Sequence, residues 1–374
     1  MRSGISRLRA STTIAFVKTW DVAVIGGGII GLSLAIALRK RGASVLVVER
    51  GEPGHEASHA AAGMLANCGS ETPEPLRELA SASAAMYPEF VHELQDESGS
   101  SHIDLRDQGT ILFLSPEDQK HLYDENLAAE KMIAEQVKDL EPGLVEARYP
   151  AVYLKERSVD PRALVTAALK AAKHRRVDVA SGSPVTEVLQ SNGRVEGVHT
   201  DRTSYPANAV VNCAGAWAGQ VPPHQFPTRP VKGQMLSVVG APHGALQHVV
   251  RSPEVYLVPR SDGRILIGAT VEEAGYDKRT VPTTIQRMHQ AALQLLPALS
   301  QARILEDWAG LRPGTPDDLP ILGATSIAGY FVATGHYRDG ILLAPATAHV
   351  MAQVIAGLKP DHDLAPFSPE RFDR

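Results

Sequence analysis

DVAVIGGGIIGLSLAIALRKRGASVLVVER occupies residues 21–50, and how it is read decides the fold. Residues 22–38 carry no charge, a run close to the length of a membrane span. The glycines at its centre argue for another reading. DVAVI (21–25) has the composition of a short buried strand, and Gly26-x-Gly28-x-x-Gly31 follows at once. Residues 32–40 are helical in composition and end near Gly42; SVLVV (44–48) is a second strand, closed by Glu49. Strand, glycine turn, helix, strand and acid in that order form the dinucleotide-binding fingerprint. Gly26 permits the tight turn, Gly28 lets a pyrophosphate approach the backbone, and Gly31 lets helix pack on strand. Glu49 is placed to accept from a ribose hydroxyl. The segment therefore points to a soluble βαβ unit for an ADP-containing cofactor, and leaves open whether that cofactor is FAD or NAD.

The bulk composition fits this reading. The 374 residues allow two domains; 44% are hydrophobic and 21% charged, as in ordinary soluble proteins. A net charge of −5 without dense Lys/Arg runs gives no footing for nucleic acid. Cys68 and Cys213 have no CxxC spacing, so neither a disulfide framework nor a metal centre is expected, and a reducing cytoplasm fits. Residues 1–19 are basic and rich in Ser and Thr; they are expected to form a disordered extension.

Further along, GHEASHAAAGMLA (54–66) is dense in small residues, suiting backbone that lies against a bulky ligand. Residues 76–97 and 116–135 have helical patterns, and GTILFLS (109–115) reads as a strand. Asp160 is placed as an N-cap with Pro161 in the first turn of a helix reaching about His174. Strands are expected at 195–198, 209–212, 231–239 and 330–333. Residues 255–270 read as a hairpin turning at Asp262-Gly263. The chain returns at its end to a strand, a glycine turn and an Ala-rich helix, which implies a discontinuous cofactor domain with a strand-rich insertion. One oddity is Arg338, just before that last helix, where the partial positive charge of a helix N-terminus disfavours a cation.

Five blocks together, DVAVIGGGIIGLSLA, AAAGMLA, NCAGAWAG, WAGLRPGTPDDLPILG and GHYRDGILLAPATA, resemble the glycine oxidases of the D-amino-acid oxidase superfamily over nearly the whole chain from Trp20. The resemblance implies an α/β fold. A discontinuous Rossmann-like FAD-binding domain (20–86, 155–228, 306–364) joins an antiparallel-sheet α+β substrate domain (87–154, 229–305). It implies non-covalent FAD held by Gly26, Gly27, Gly28, Gly31, Glu49, Arg50, Ala57, Ser58, Ala62, Gly63, Met64 and Val185. The turn residues His336, Tyr337, Arg338, Asp339, Gly340, Ile341 and Leu342 complete that set. Free N–H groups near Gly340 would face the flavin's N1 and C2 carbonyl side, where charge develops on reduction. The family more often has Asn at the position of Asp339.

Arg312, Arg338 and Tyr256 are then the expected partners of a substrate carboxylate, for which a guanidinium fork is suited in charge and geometry. The implied activity is oxidation of glycine, sarcosine or small D-amino acids by hydride transfer to flavin N5. Oxygen would be the second substrate, hydrogen peroxide a product, and the imine would pass to glyoxylate or to thiamine thiazole synthesis. The implied assembly is a homotetramer, and no membrane or nucleic-acid partner is expected. Glu254 and Val271 are candidates for shaping the substrate end. A D-amino-acid dehydrogenase with a non-oxygen acceptor, a tRNA-base-modifying oxidoreductase and a flavin-binding protein without turnover remain as alternatives.

Overall fold

The computed structural model describes residues 18–68, 72–99, 102–115, 129–145 and 149–372. Most of the N-terminal extension and of the 116–135 pattern lies outside them.

The opening fingerprint builds the centre of an eight-stranded sheet. Strand Trp20–Ile25 lies parallel between Val45–Glu49 and Ser204–Asn212, and the latter pairs in parallel with Tyr330–Thr334. Asp178–Ser181 extends one side in parallel. An antiparallel edge of Val185–Ser191 and Arg194–Thr200 closes the other. The apolar run 22–38 thus divides into a buried strand and the first helix, Ile29–Lys40, whose only charges, Arg39 and Lys40, sit in its last turn and suit its dipole. That helix packs with Arg77–Ser98, Pro161–His174 and the terminal helix Gly340–Ile355 over one face of the sheet. Asp160 caps Pro161–His174, accepting from Arg162 and Ala163 N–H.

A second eight-stranded sheet is antiparallel apart from one parallel pair, Val249–Arg251 with Thr110–Phe113. Its long strands Arg229–Val239 and Arg303–Gly314 run together along one edge, and Tyr256–Pro259 and Ile265–Gly268 form the expected hairpin. Helix Pro282–Leu295 covers one face. The opposite face, with Met235, Val258 and Leu266, turns toward the first sheet.

Residues 129–132 depart from the helical pattern. They form an edge strand paired with Ala151–Leu154, and the helix begins only at Ala134. Pairing with a preformed strand outweighs local helical composition here. Two sequence-drawn domain borders fall inside single elements: 86/87 within Arg77–Ser98, and 305/306 within Arg303–Gly314.

Candidate active site

A cavity of about 920 Å³ runs between the two sheets, large enough for a bulky cofactor with a small substrate beside it. At one end lies the glycine turn. Gly26 adopts φ +107°, and a Cβ there would meet the Cys213 carbonyl oxygen at 2.5 Å. A Cβ on Gly31 would come 2.0 Å from the Gly26 oxygen, so helix and strand touch through bare backbone. Glu49 is buried, accepting from Gly27 N–H at 2.7 Å and Gly51 N–H at 2.9 Å. It fixes the turn while still lining the cavity, and carboxylate oxygens have lone pairs to spare for a hydroxyl. Ser58 Oγ accepts from Ile29 N–H at 3.0 Å, at the open start of the first helix.

The small-residue segment has two reasons to be small. The Cβ of Ala60 would meet a Cβ on Gly310 at 2.4 Å, and Gly63, at φ +73°, lies against the Val159 carbonyl. The segment is pinned by Trp308 Nε1 to Ala60 O at 3.1 Å and by the Arg260 guanidinium to Ala62 O. It thereby forms one wall of the cavity, backed by the substrate sheet. Arg50, ion-paired with Glu56 at 2.6 Å, stacks 3.5 Å over Trp217 at the same end.

At the other end, the turn 335–339 enters the terminal helix. Tyr337 holds φ +45°, rare for a side-chain-bearing residue, and its N–H donates to Pro313 O at 3.0 Å. That bond ties the turn to the strand bearing Arg312. His336 is buried with Nε2 3.1 Å from Thr347 Oγ1, and burial pushes its imidazole down to about 3, so it is neutral. Gly340 opens the helix; a Cβ there would meet nothing nearer than His336 Cβ at 3.6 Å. Protein packing therefore does not require this glycine.

Register sets the substrate end. Residues directly opposite in an antiparallel pair share a face. Val231 opposes Arg312, Gly233 opposes Gly310, Tyr256 opposes both Gly268 and Arg251. The Arg312 guanidinium lies over Gly233, where a Cβ would approach it to 2.6 Å, and donates to Thr270 O at 3.1 Å. The Tyr256 ring likewise lies over Gly268, its hydroxyl 3.5 Å from Met235 Sδ. Burial raises the Tyr256 phenol against the pull of the Arg312, Arg338 and Arg251 guanidiniums. Arg338 stays exposed at the cavity, its guanidinium 5.3 Å from the Tyr337 ring.

Of the residues singled out from sequence, Gly26, Gly28, Glu49, Arg50, Ala57, Ser58, Ala62, Gly63, Met64 and Val185 all border this cavity. So do His336 to Ile341, with Arg312 and Tyr256. Gly27, Gly31 and Leu342 lie off the wall: Gly27 packs on Pro53 and Glu49, Gly31 on the strand, and Leu342 in the core. Val271 lines the substrate end, whereas Glu254 is exposed outside it and bonded to Ser252. Arg251 is a charged wall residue that was not singled out; it is buried, 3.6 Å from Glu156 Oε2. Its signal lay in the spacing RSPEVY, an arginine five residues before Tyr256 across a Ser-Pro turn.

The DAO family, described as FAD dependent oxidoreductase, matches residues 21–354. The chain belongs to this family. Its cofactor is FAD, and the cavity fits that group: two helix N-termini open on it, with glycine at each. A glycine oxidase of Pseudomonas putida is 33% identical over 94% of this chain and 98% of its own length. The bifunctional protein ThiO/ThiG of Trichormus variabilis is 38% identical over 95% of this chain, which spans only 56% of that protein. The chain thus spans about half the length of the curated relatives it matches at highest identity. The crystal structure of glycine oxidase from Geobacillus kaustophilus superposes with a TM-score of 0.90 at 34% identity, covering 94% of this chain and 99% of that one. Among the described residues, no helix is long and apolar enough to cross a membrane.

Proposed function

We propose that the chain is a glycine oxidase, oxidising glycine and small amines such as sarcosine or D-alanine. The observation that carries this is the convergence of Arg312, Arg338 and Tyr256 on one cavity, which the glycine-led start of the terminal helix also borders. A pure flavin binder has no use for such a set. Bound here, FAD would supply the hydride acceptor for oxidation at the substrate's α-carbon. Arg312 and Arg338 hold the carboxylate as a fork-shaped pair of donors, and the Tyr256 hydroxyl adds a third contact. Together they fix the α-carbon, and orientation of this kind carries much of the rate. No general base is assigned; His336 is neutral and buried within the turn.

The N-terminal helix start, with Gly28 and Ser58, takes the pyrophosphate, and Glu49 the ribose. Neither Cys68 nor Cys213 lies in the 335–340 turn, which supports non-covalent attachment. The two sheets support two domains, with Arg77–Ser98 assigned whole to the FAD domain and Arg303–Gly314 whole to the substrate domain. Likeness to ThiO-named proteins supports a role in thiamine thiazole synthesis. Oxygen as acceptor with peroxide as product, a homotetramer and a cytoplasmic location belong to the same reading.

The test is anaerobic addition of glycine to the yellow protein. The visible flavin band should bleach and return on admitting air. A band that stays through glycine, sarcosine and D-alanine would keep the fold and sink the glycine-oxidase reading.

A further inference from the structure

The block GILLAPATA places Pro345 inside the terminal helix, in its second turn. Having no N–H, a proline leaves the carbonyl four residues earlier without its helical donor and pushes that carbonyl outward. Here the orphan is Ile341 C=O, one residue past Gly340. Helix Arg77–Ser98 supplies what is missing. The Tyr87 hydroxyl donates to Ile341 C=O. One turn earlier on the same helix, the Ser83 hydroxyl donates to Leu342 C=O at 2.6 Å and accepts from Ala346 N–H at 3.2 Å, bridging the next rung. Tyr87 and Ser83 are both fully buried, and neither borders the cavity. Within the helix, Leu343 N–H is already bonded to Asp339 O, so the N–H groups ahead of it, from Gly340 to Leu342, are the ones an N-terminus leaves for a ligand.

Two rungs between the first turn of this helix and the remainder are therefore completed or reinforced by side chains of another helix. We propose that Tyr87, seconded by Ser83, is a positioning residue for the flavin. It holds the turn split off by Pro345 at the angle from which its N–H groups meet negative charge on the ring. The proposal rests on the FAD reading of the cavity and not on glycine as the substrate.

The test uses the full-length holoprotein and Tyr87→Phe, which removes one oxygen and no bulk. Sulfite adds to oxidised flavin to give an anionic product, so its dissociation constant, read from loss of the visible band, reports how well the site supports that charge. In Tyr87→Phe it should rise about threefold or more, the part of one buried hydrogen bond that reaches the ring. Pro345→Ala restores an N–H for Ile341 C=O. In that background Tyr87→Phe should change the sulfite constant by less than about twofold, because the helix ladder is intact. An effect of equal size in both backgrounds, or a fall in melting temperature with sulfite binding unchanged, would overturn the proposal. Should Tyr87→Phe fail to fold, Ser83→Ala should shift the constant in the same direction, and no shift there is equally fatal. Wild-type protein lacking any flavin band would sink the cofactor reading itself. Neither readout involves an amine, so failure of glycine turnover is a separate result.

Discussion

Replacing Arg312 by alanine is the sharpest probe of the substrate end. The strand Arg303–Gly314 sets this side chain opposite Val231, and its guanidinium lies flat over Gly233, anchored to Thr270 O at 3.1 Å. One N–H edge is thus used to hold the fork in place, and the fork faces the cavity with the rest. Truncating one partner of a desolvated charge pair costs about 2–5 kcal/mol. At about 1.36 kcal/mol per factor of ten, kcat/KM for glycine should drop at least about thirtyfold and by as much as several thousandfold. Steady-state oxygen uptake or peroxide release measures it. Arg312→Lys keeps the charge but not the planar fork, and should recover only part of the loss. Gly233→Ala tests the placement from the other side. Its Cβ would come 2.6 Å from the guanidinium, which must swing away while keeping its charge. A displacement near 1 Å can cost about a hundredfold, so Gly233→Ala should fall between wild type and Arg312→Ala. Wild-type turnover of glycine by Arg312→Ala would remove this residue from the site.

Gly340→Ala should leave the apoprotein as stable as wild type or slightly more so, because no protein atom lies closer than 3.6 Å to the new Cβ and alanine favours helix. It should nevertheless weaken FAD binding in a titration of the apoprotein; unchanged affinity would place the ring elsewhere. His336 gives a pH signature. Burial lowers its imidazole from 6.5 to about 3, so between those values the unfolded chain takes up a proton that the folded chain refuses. Stability from this group is complete above about pH 6.5 and is lost as the pH falls toward 3, with a slope of up to about 1.4 kcal/mol per pH unit. In urea melts from pH 7 to pH 4, His336→Asn should flatten the curve by that contribution, and a slope identical to wild type would show that the imidazole titrates normally.

The nucleotide half was legible because its chemistry is local. Gly26, Gly28, Gly31 and Glu49 lie within one βαβ unit, and spacing alone states which backbone must approach which. The proposed carboxylate set could be drawn only through resemblance. Arg312, Tyr256 and Arg338 come from three separate segments, and nothing in any one of them says that antiparallel register will turn two of them onto the same face. Arg251 escaped for that reason. Its place depends on pairing with Tyr256 across a turn, and a strand-ending arginine without that partner reads as a surface cation. Residues 129–132 were missed because their pairing partner, Ala151–Leu154, cannot be read from their own composition.

The terminal helix was expected, but the contact that completes it was not legible. By propensity Pro345 argues against a continuous helix from Gly340, costing about 3 kcal/mol in a helix interior. The helix nevertheless runs from Gly340 to Ile355. Its missing rung is filled by Tyr87, 254 positions away in sequence. A break tolerated at that cost, beside the turn that the cavity depends on, is where function is expected to override local preference. On the proposal above, the proline removes one rung that would fix the first turn to the helix behind it, and the tyrosine supplies that restraint from outside. If that is the purpose of the pair, the two residues should tolerate loss together better than Tyr87 tolerates loss alone. Comparing Pro345→Ala/Tyr87→Phe with Tyr87→Phe tests that directly.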